Sequence, residues 1–227
     1  VDSVTDCLDQ IAEYDDAVQI LLQEKLDISQ WREMTVDLTI TPQDVSISNV
    51  RQILFAGGKW VGNYISPELE VPEAHRAVLM QVGAYARDHG HVADEGINCG
   101  IDYFVSGDEV IVTEINARWT GGLFPAEFLR RLAITQPAVA FFDMVPVAQS
   151  DVVRAFQRDH LFPAAGDAFA YVPMGFTPFA TEIDGVDRYF VWQIVVGDFA
   201  AFVEAKRQKL PEDTFPTAEL ILQEALS

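Results

Sequence analysis

Gly100-Ile101-Asp102 and, eleven residues further on, Glu114-Ile115-Asn116-Ala117-Arg118-Trp119-Thr120-Gly121-Gly122 form the stretch on which the reading of this chain turns. Residues 96–105 and 109–117 read as two strands joined through Ser106-Gly107-Asp108, and a helix is expected over 124–132. The two-residue period of a strand puts Glu114 and Asn116 on one face. A three-residue loop centred on Asp108 would set Asp102 directly opposite Glu114, with Cβ atoms roughly 5 Å apart. Asp, Glu and an Asn carbonyl are hard oxygen donors, suited to Mg2+ or Mn2+ when nucleotide phosphates complete the coordination. The competing reading is an amphipathic hairpin whose polar positions are simply solvated. After the hairpin, Arg118 and the Thr120-Gly121-Gly122 turn offer a guanidinium and backbone amides to an anion. A structural ion pair is the alternative role for Arg118.

Working outward, residues 3–14 read as a helix, 17–22 as a buried strand, and the polar break at 24–27 as a hinge. From Arg32 to Ile40, Met34, Val36, Leu38 and Ile40 alternate with polar residues, the pattern of a half-buried strand. A turn over Thr41-Pro42-Gln43-Asp44 leads to a hairpin of strands 45–55 and 59–65 across Ala56-Gly57-Gly58. Pro72 opens a helix that Gly90 stops, with His75, Val78, Leu79, Val82, Tyr85 and Ala86 on its core stripe. Downstream, helices are expected at 151–159, 198–208 and 217–225, and strands at 168–172 and 189–196. A Pro/Gly-bearing seam at 161–166 would divide residues 1–160 from a smaller α+β extension over 161–227.

Composition excludes several classes. A formal charge of −20 over 227 residues would repel a phosphate backbone, so nucleic acid is not an expected partner. The longest apolar runs, such as Ala138-Val139-Ala140-Phe141-Phe142, fall far short of the ~20 residues of a membrane span. Two cysteines without ligand spacing suit a reducing cytoplasm, with Cys99 read as a small buried apolar side chain. His89-Gly90-His91 has no companions at metal-ligand spacing and reads as a helix end. The tail aromatics Phe176, Phe179, Tyr189, Phe190 and Trp192 read as core or subunit interface.

Taken with its turn, the 100–122 stretch resembles the magnesium-binding end of the ATP-grasp superfamily, and the order of elements over residues 1–132 agrees with it. The resemblance implies an α+β fold with an ATP-grasp-type antiparallel sheet flanked by helices. It implies an ATP-dependent carboxylate–amine or carboxylate–thiol ligase acting through an acyl phosphate, closest to the amino-acid or peptide ligase branches. Asp102, Glu114 and Asn116 would be the metal ligands, and Arg118 the catalytic anion binder. Glu24, Lys25, Leu26 and Glu33 would contact the nucleotide. Arg51, Gln52, Thr120, Gly121 and Gly122 would line the substrate side. The family's lysine-bearing strand and glycine-rich phosphate loop have no counterpart in these residues, and Gly100 stands where some branches carry an arginine. A truncated form is therefore expected, or alternatively a non-catalytic nucleotide-binding or assembly module. The implied partners are ATP, Mg2+ or Mn2+, a carboxylate-bearing small molecule or peptide, and a second copy docking through the extension.

Overall fold

The computed structural model describes residues 4–12, 27 and 30–224. Helix α1 (Val4–Ile11) belongs to a compact unit of its own, Val1–Gln30, and all other elements belong to the unit Trp31–Ser227. The strand expected over 17–22, and Glu24, Lys25 and Leu26, lie outside the described residues.

The larger unit is built from β1 (Arg32–Ile40), β2 (Val45–Ala56), β3 (Lys59–Ile65), α2 (Glu73–Asp88), β4 (Ile97–Ser106), β5 (Glu109–Asn116) and α3 (Leu123–Arg131). It continues with β6 (Ala138–Pro146), α4 (Ser150–Asp159), β7 (Phe169–Phe176), β8 (Thr181–Ile183), β9 (Val186–Gly197), α5 (Phe199–Lys209) and α6 (Pro216–Glu224). The fold is α+β. One sheet runs β5-β4-β1-β2-β3-β6-β9-β7, with β8 on β9, and every named strand pair is antiparallel. No helix among the described residues is long and apolar enough to cross a membrane.

Alternation decides what each face does. Met34, Val36, Leu38 and Ile40 point with Cys99, Ile101 and Tyr103 into a core closed by Leu79 and Ala86 of α2. The same face continues through Leu54, Phe141 and Val195 into a second core under α4, α5 and α6, where Phe156, Phe202 and Ile221 are buried. On the other face α3 covers only the β6–β9–β7 half, through Leu129 against Ala140, Val172 and Ile194. Among the described residues of this unit, no helix covers the β5–β4–β1–β2–β3 half of that second face.

The halves meet at β3 and β6 over four residue pairs, Gly62 to Ile65. Gly62 faces Phe141 there, and a Cβ on it would run into the Ala140 carbonyl oxygen and lie 2.8 Å from the Phe141 Cβ. Backbone cannot yield as a flexible side chain does. Gly62→Ala is therefore expected to lower unfolding free energy by about 1–3 kcal/mol in urea denaturation, whereas Gly175→Ala, exposed on β7 with open space around it and no positive φ, perturbs no packing.

Two expectations need correcting. The seam at 161–166 does not divide the sheet: β6 pairs β9, β9 pairs β7, and Trp31–Ser227 is one unit, so the tail strands extend the sheet that β1 begins. In α2 the buried residues are His75, Leu79, Gly83 and Ala86, while Tyr85 turns outward against the His89 ring. Gly90, at φ 90°, ends the segment, and His89 and His91 bond backbone carbonyls of Tyr85 and Asn98. β6 supplies what α6 lacks at its start. Helix α6 opens on Pro216, and the carboxylate of Asp143 in β6 accepts from the N–H groups of Thr217 and Ala218 at 3.2 and 3.3 Å.

Candidate nucleotide and metal site

The β4–β5 hairpin turns through two residues, Gly107 and Asp108, since Ser106 pairs with Glu109; Gly107 has the positive φ, 58°, that such a turn needs. A two-residue turn alone would pair Asp102 with Thr113. The register slips between Asp102 and Tyr103, so that Thr113 is bulged out and Asp102 faces Glu114. The expected pair forms, by a bulge instead of a longer loop. The Thr113 hydroxyl donates to the Asp102 carbonyl at 3.0 Å.

The neighbouring strands repeat the device. Asp37 pairs with Asn49 and Leu38 with Ile47, leaving Ser48 bulged from β2, and the Ser48 hydroxyl donates to the Asp37 carbonyl at 2.9 Å. Val45 and Ile47 face the apolar core before this bulge; beyond it Asn49, Arg51 and Ile53 take the open face. In β5, Val110 and Val112 pack inward and Glu114 and Asn116 outward for the same reason.

The open face is therefore a polar floor. Glu33 and Thr35 of β1, Asp102 of β4, and Glu114 and Asn116 of β5 line a cavity of about 390 Å³. Arg51, Asn63 and Trp60 close it from β2 and β3, and Arg118, Thr120, Gly121 and Gly122 rim it. The carboxylates crowd one another. Burial first, and the Asp102 charge second, push Glu33 up to about 7. Burial, reinforced by Glu114, also raises Asp102, although hydrogen bonding from Thr35 and Asn116 and the Arg51 charge pull the other way. A cation would relieve this crowding. Asn116 Nδ2 donates to Asp102 Oδ2 at 3.2 Å, which leaves the amide oxygen for another partner.

Among the described residues no three His, Cys, Asp or Glu side chains are already gathered as metal ligands. Two facing carboxylates and an amide oxygen nevertheless fit Mg2+, an ion that typically takes one or two protein carboxylates and completes its octahedron with phosphate oxygens and water.

The rim is held from beneath by a buried ion pair. Arg51 and Asp37, 1% and 0% exposed, meet at 2.5 Å. Arg51 also donates to Asn49 Oδ1 and, at 3.3 Å, to the Thr120 hydroxyl, which in turn donates to Asp37 at 2.9 Å. This network fastens the 118–122 turn to β1 and β2. Gly122 permits the approach, because a Cβ there would lie 2.7 Å from Arg51 Nε. That Nε is buried and has no hydrogen-bond partner among the described residues.

Nine of the residues expected at the site come together here: Glu33, Arg51, Asp102, Glu114, Asn116, Arg118, Thr120, Gly121 and Gly122. Gln52 does not. It pairs with Met34 and shares the core face, because a strand turns successive side chains to opposite sides. Sequence reasoning missed Asp37, Thr35 and Asn63. A polar residue in an alternating strand looks like a solvated position, and nothing in 32–40 signalled that a turn some eighty residues later would bury Asp37. Arg118 forms no ion pair among the described residues; its only recorded bond is to the Trp119 carbonyl at 3.5 Å.

No family model matches the sequence, and no curated protein does. Several solved structures are similar in fold. An ATP-grasp superfamily protein from Archaeoglobus fulgidus aligns at 17% identity and TM-score 0.38, over 74% of this chain and 46% of that one. The phosphoribosylaminoimidazole carboxylase ATPase subunit from Aquifex aeolicus aligns at 10% and 0.47, over 84% and 58%. An L-amino acid ligase from Bacillus licheniformis aligns at 10% and 0.45, over 80% and 51%. The chain spans about half the length of these proteins.

Proposed function

We propose that this chain is part of an ATP-dependent carboxylate–amine or carboxylate–thiol ligase, and that Mg·ATP and the carboxylate meet over the β4–β5 floor. The observation that carries this reading is the facing pair Asp102 and Glu114, with Asn116 beside them and Arg118 on the rim of the same cavity. Asp102, Glu114 and the Asn116 amide oxygen would hold Mg2+, which when bound offsets the repulsion between nucleotide phosphates and a carboxylate. Glu33 would take the ribose hydroxyls.

In the reaction so proposed, a carboxylate oxygen attacks the γ-phosphorus, ADP leaves with the bond electrons, and an acyl phosphate forms. The amine or thiol then attacks the acyl carbon, phosphate departs, and the nucleophile's proton is lost to solvent or a base. The chain's part is positional and electrostatic. Arg118 would bind the anion on which charge develops, a role favoured by a guanidinium that no carboxylate among the described residues occupies. Gly121 and Gly122 offer backbone to the same anion. The Asp37–Arg51–Thr120 network would hold that turn at a fixed height above the floor.

Calorimetric titration with Mg·ATP tests the reading. The protein is expected to give saturable, magnesium-dependent heat, abolished in Glu114→Ala, Asn116→Ala of unchanged circular dichroism. Equal heat in that variant would remove the metal site. Binding that is lost with the variant but gives no turnover with any carboxylate would favour a nucleotide-binding module.

A further inference from the structure

Beside the nucleotide cavity lies a second one, of about 350 Å³, at the small end of the range for small-molecule sites (roughly 300–1,000 Å³). Its walls are Trp119, Phe124, Phe128, Pro173 and Met174, with Arg131 and Glu127 at the edge. The two cavities adjoin at the 118–120 turn: Arg118 and Thr120 face the first and Trp119 the second. A file of rings also joins them. Trp60, in the first cavity, lies 5.9 Å from Phe142; Phe142 stacks on Trp192 at 5.0 Å; Trp192 meets Phe124 at 6.4 Å, and Phe124 meets Trp119 at 5.5 Å.

Four of these five rings are exposed, Trp119 most of all at 58%. Contiguous exposed aromatics cost solubility unless something covers them. The concavity and the charge nearby say what. A flat apolar group fits a cavity walled by rings and a thioether, and the Arg118 guanidinium, without a carboxylate partner among the described residues, stands beside it on the rim of the neighbouring cavity, where that group would carry its head.

We infer that this cavity binds the apolar body, aryl or long alkyl, of a carboxylate whose head lies at Arg118. The position of the head rests on the function proposed above; the apolar body rests on the cavity alone. The substrate class is then an arylalkyl or similarly apolar acid, a phenylalanine-like acyl group included, in preference to a small polar one.

The test uses the whole chain, with 3-phenylpropanoate as the probe and quenching of tryptophan fluorescence as the signal, since Trp119 and Trp192 both touch Phe124. Tightening on the order of tenfold or more over propanoate is expected from burying the ring, with 3-phenylpropan-1-ol, which lacks the anionic head, weaker than the acid. Two variants probe the walls: Phe124→Ala removes a ring, and Met174→Trp fills the space without removing one. Both are expected to weaken 3-phenylpropanoate by about tenfold. Equal affinity for propanoate and 3-phenylpropanoate, or full affinity in both variants, overturns the inference. So does a self-associating protein whose sedimentation, and not whose quenching, responds to Phe124→Ala, since the rings would then be an interface between copies. Mg·ATP binding without 3-phenylpropanoate binding overturns this inference and spares the nucleotide site; the converse spares the apolar site and sinks the ligase reading.

Discussion

Arg51→Met is expected to lose about 3–5 kcal/mol of unfolding free energy, measured as a shift in the urea midpoint at constant slope. Asp37 is fully buried, and Arg51 is its only ion-pair partner among the described residues. Without the guanidinium its carboxylate keeps a single recorded side-chain donor, the Thr120 hydroxyl. An isolated buried charge is far costlier than the pair is favourable. The double variant Arg51→Met, Asp37→Leu should therefore recover a large part of the loss, since replacing both partners removes the stranded charge. A single variant within ~1 kcal/mol of the parent would mean that Asp37 takes up a proton or finds water, and that the 118–122 turn is held by something else. The double variant is expected to bind Mg·ATP worse than the parent even where it folds well, because Thr120 loses both polar partners.

The second large effect is on pH. Burial pushes the Asp143 carboxyl up to about 7, against the ordinary 3.8, even though the N–H groups of Met144, Thr217 and Ala218 and the Lys206 charge favour its ionised form. A group whose pKa is raised by folding contributes stability below its unfolded pKa and loses it as pH rises through the folded one. Stability from Asp143 should therefore be fully present below about pH 4 and lost on rising past about 7. Glu33 contributes with the same sign, so the comparison that isolates Asp143 is parent against Asp143→Asn, in which an amide oxygen can still accept from α6. Urea unfolding at pH 5 and pH 8 should show the Asn variant gaining on the parent as pH rises. A constant gap would mean that the three N–H donors keep Asp143 ionised in the fold, outweighing burial.

Much of this architecture was legible. β1 has the bounds that alternation predicts and β3 those that the hairpin signal predicts, and the β4–β5 strands and α2 fall within a residue or so of theirs. These elements have one dry face and one wet face at the stage of chain pairing, so period and turn chemistry speak clearly. β6 does not. Ala138, Val139, Ala140 and Phe141 are all buried, covered on both sides, and four buried residues in a row followed by an exposed Phe142 leave no alternation of apolar and polar residues to read. It is the strand that carries the sheet from β3 to β9, which is why the tail looked like a separate extension. At the site, the acidic and glycine residues near 100–122 could be found because their chemistry is local and ordered in sequence. The Asp37–Arg51–Thr120 network joins residues 83 positions apart, and the ring file joins β3, β6, β9 and α3. Neither leaves any mark within a window of sequence.

The bulges at Ser48 and Thr113 bear on how strand length can drift. Each places one surplus residue where side-chain direction changes sides, so removing it would restore plain alternation with every later residue still facing the way it does now. Loss of a single residue between these bulges and Arg51 or Glu114 would instead set that side chain on the wrong side. These two hydroxyl residues are therefore the positions where the strands flanking the site can shorten by one without changing which groups look at the ligand, and chains of unequal strand length could share one site geometry.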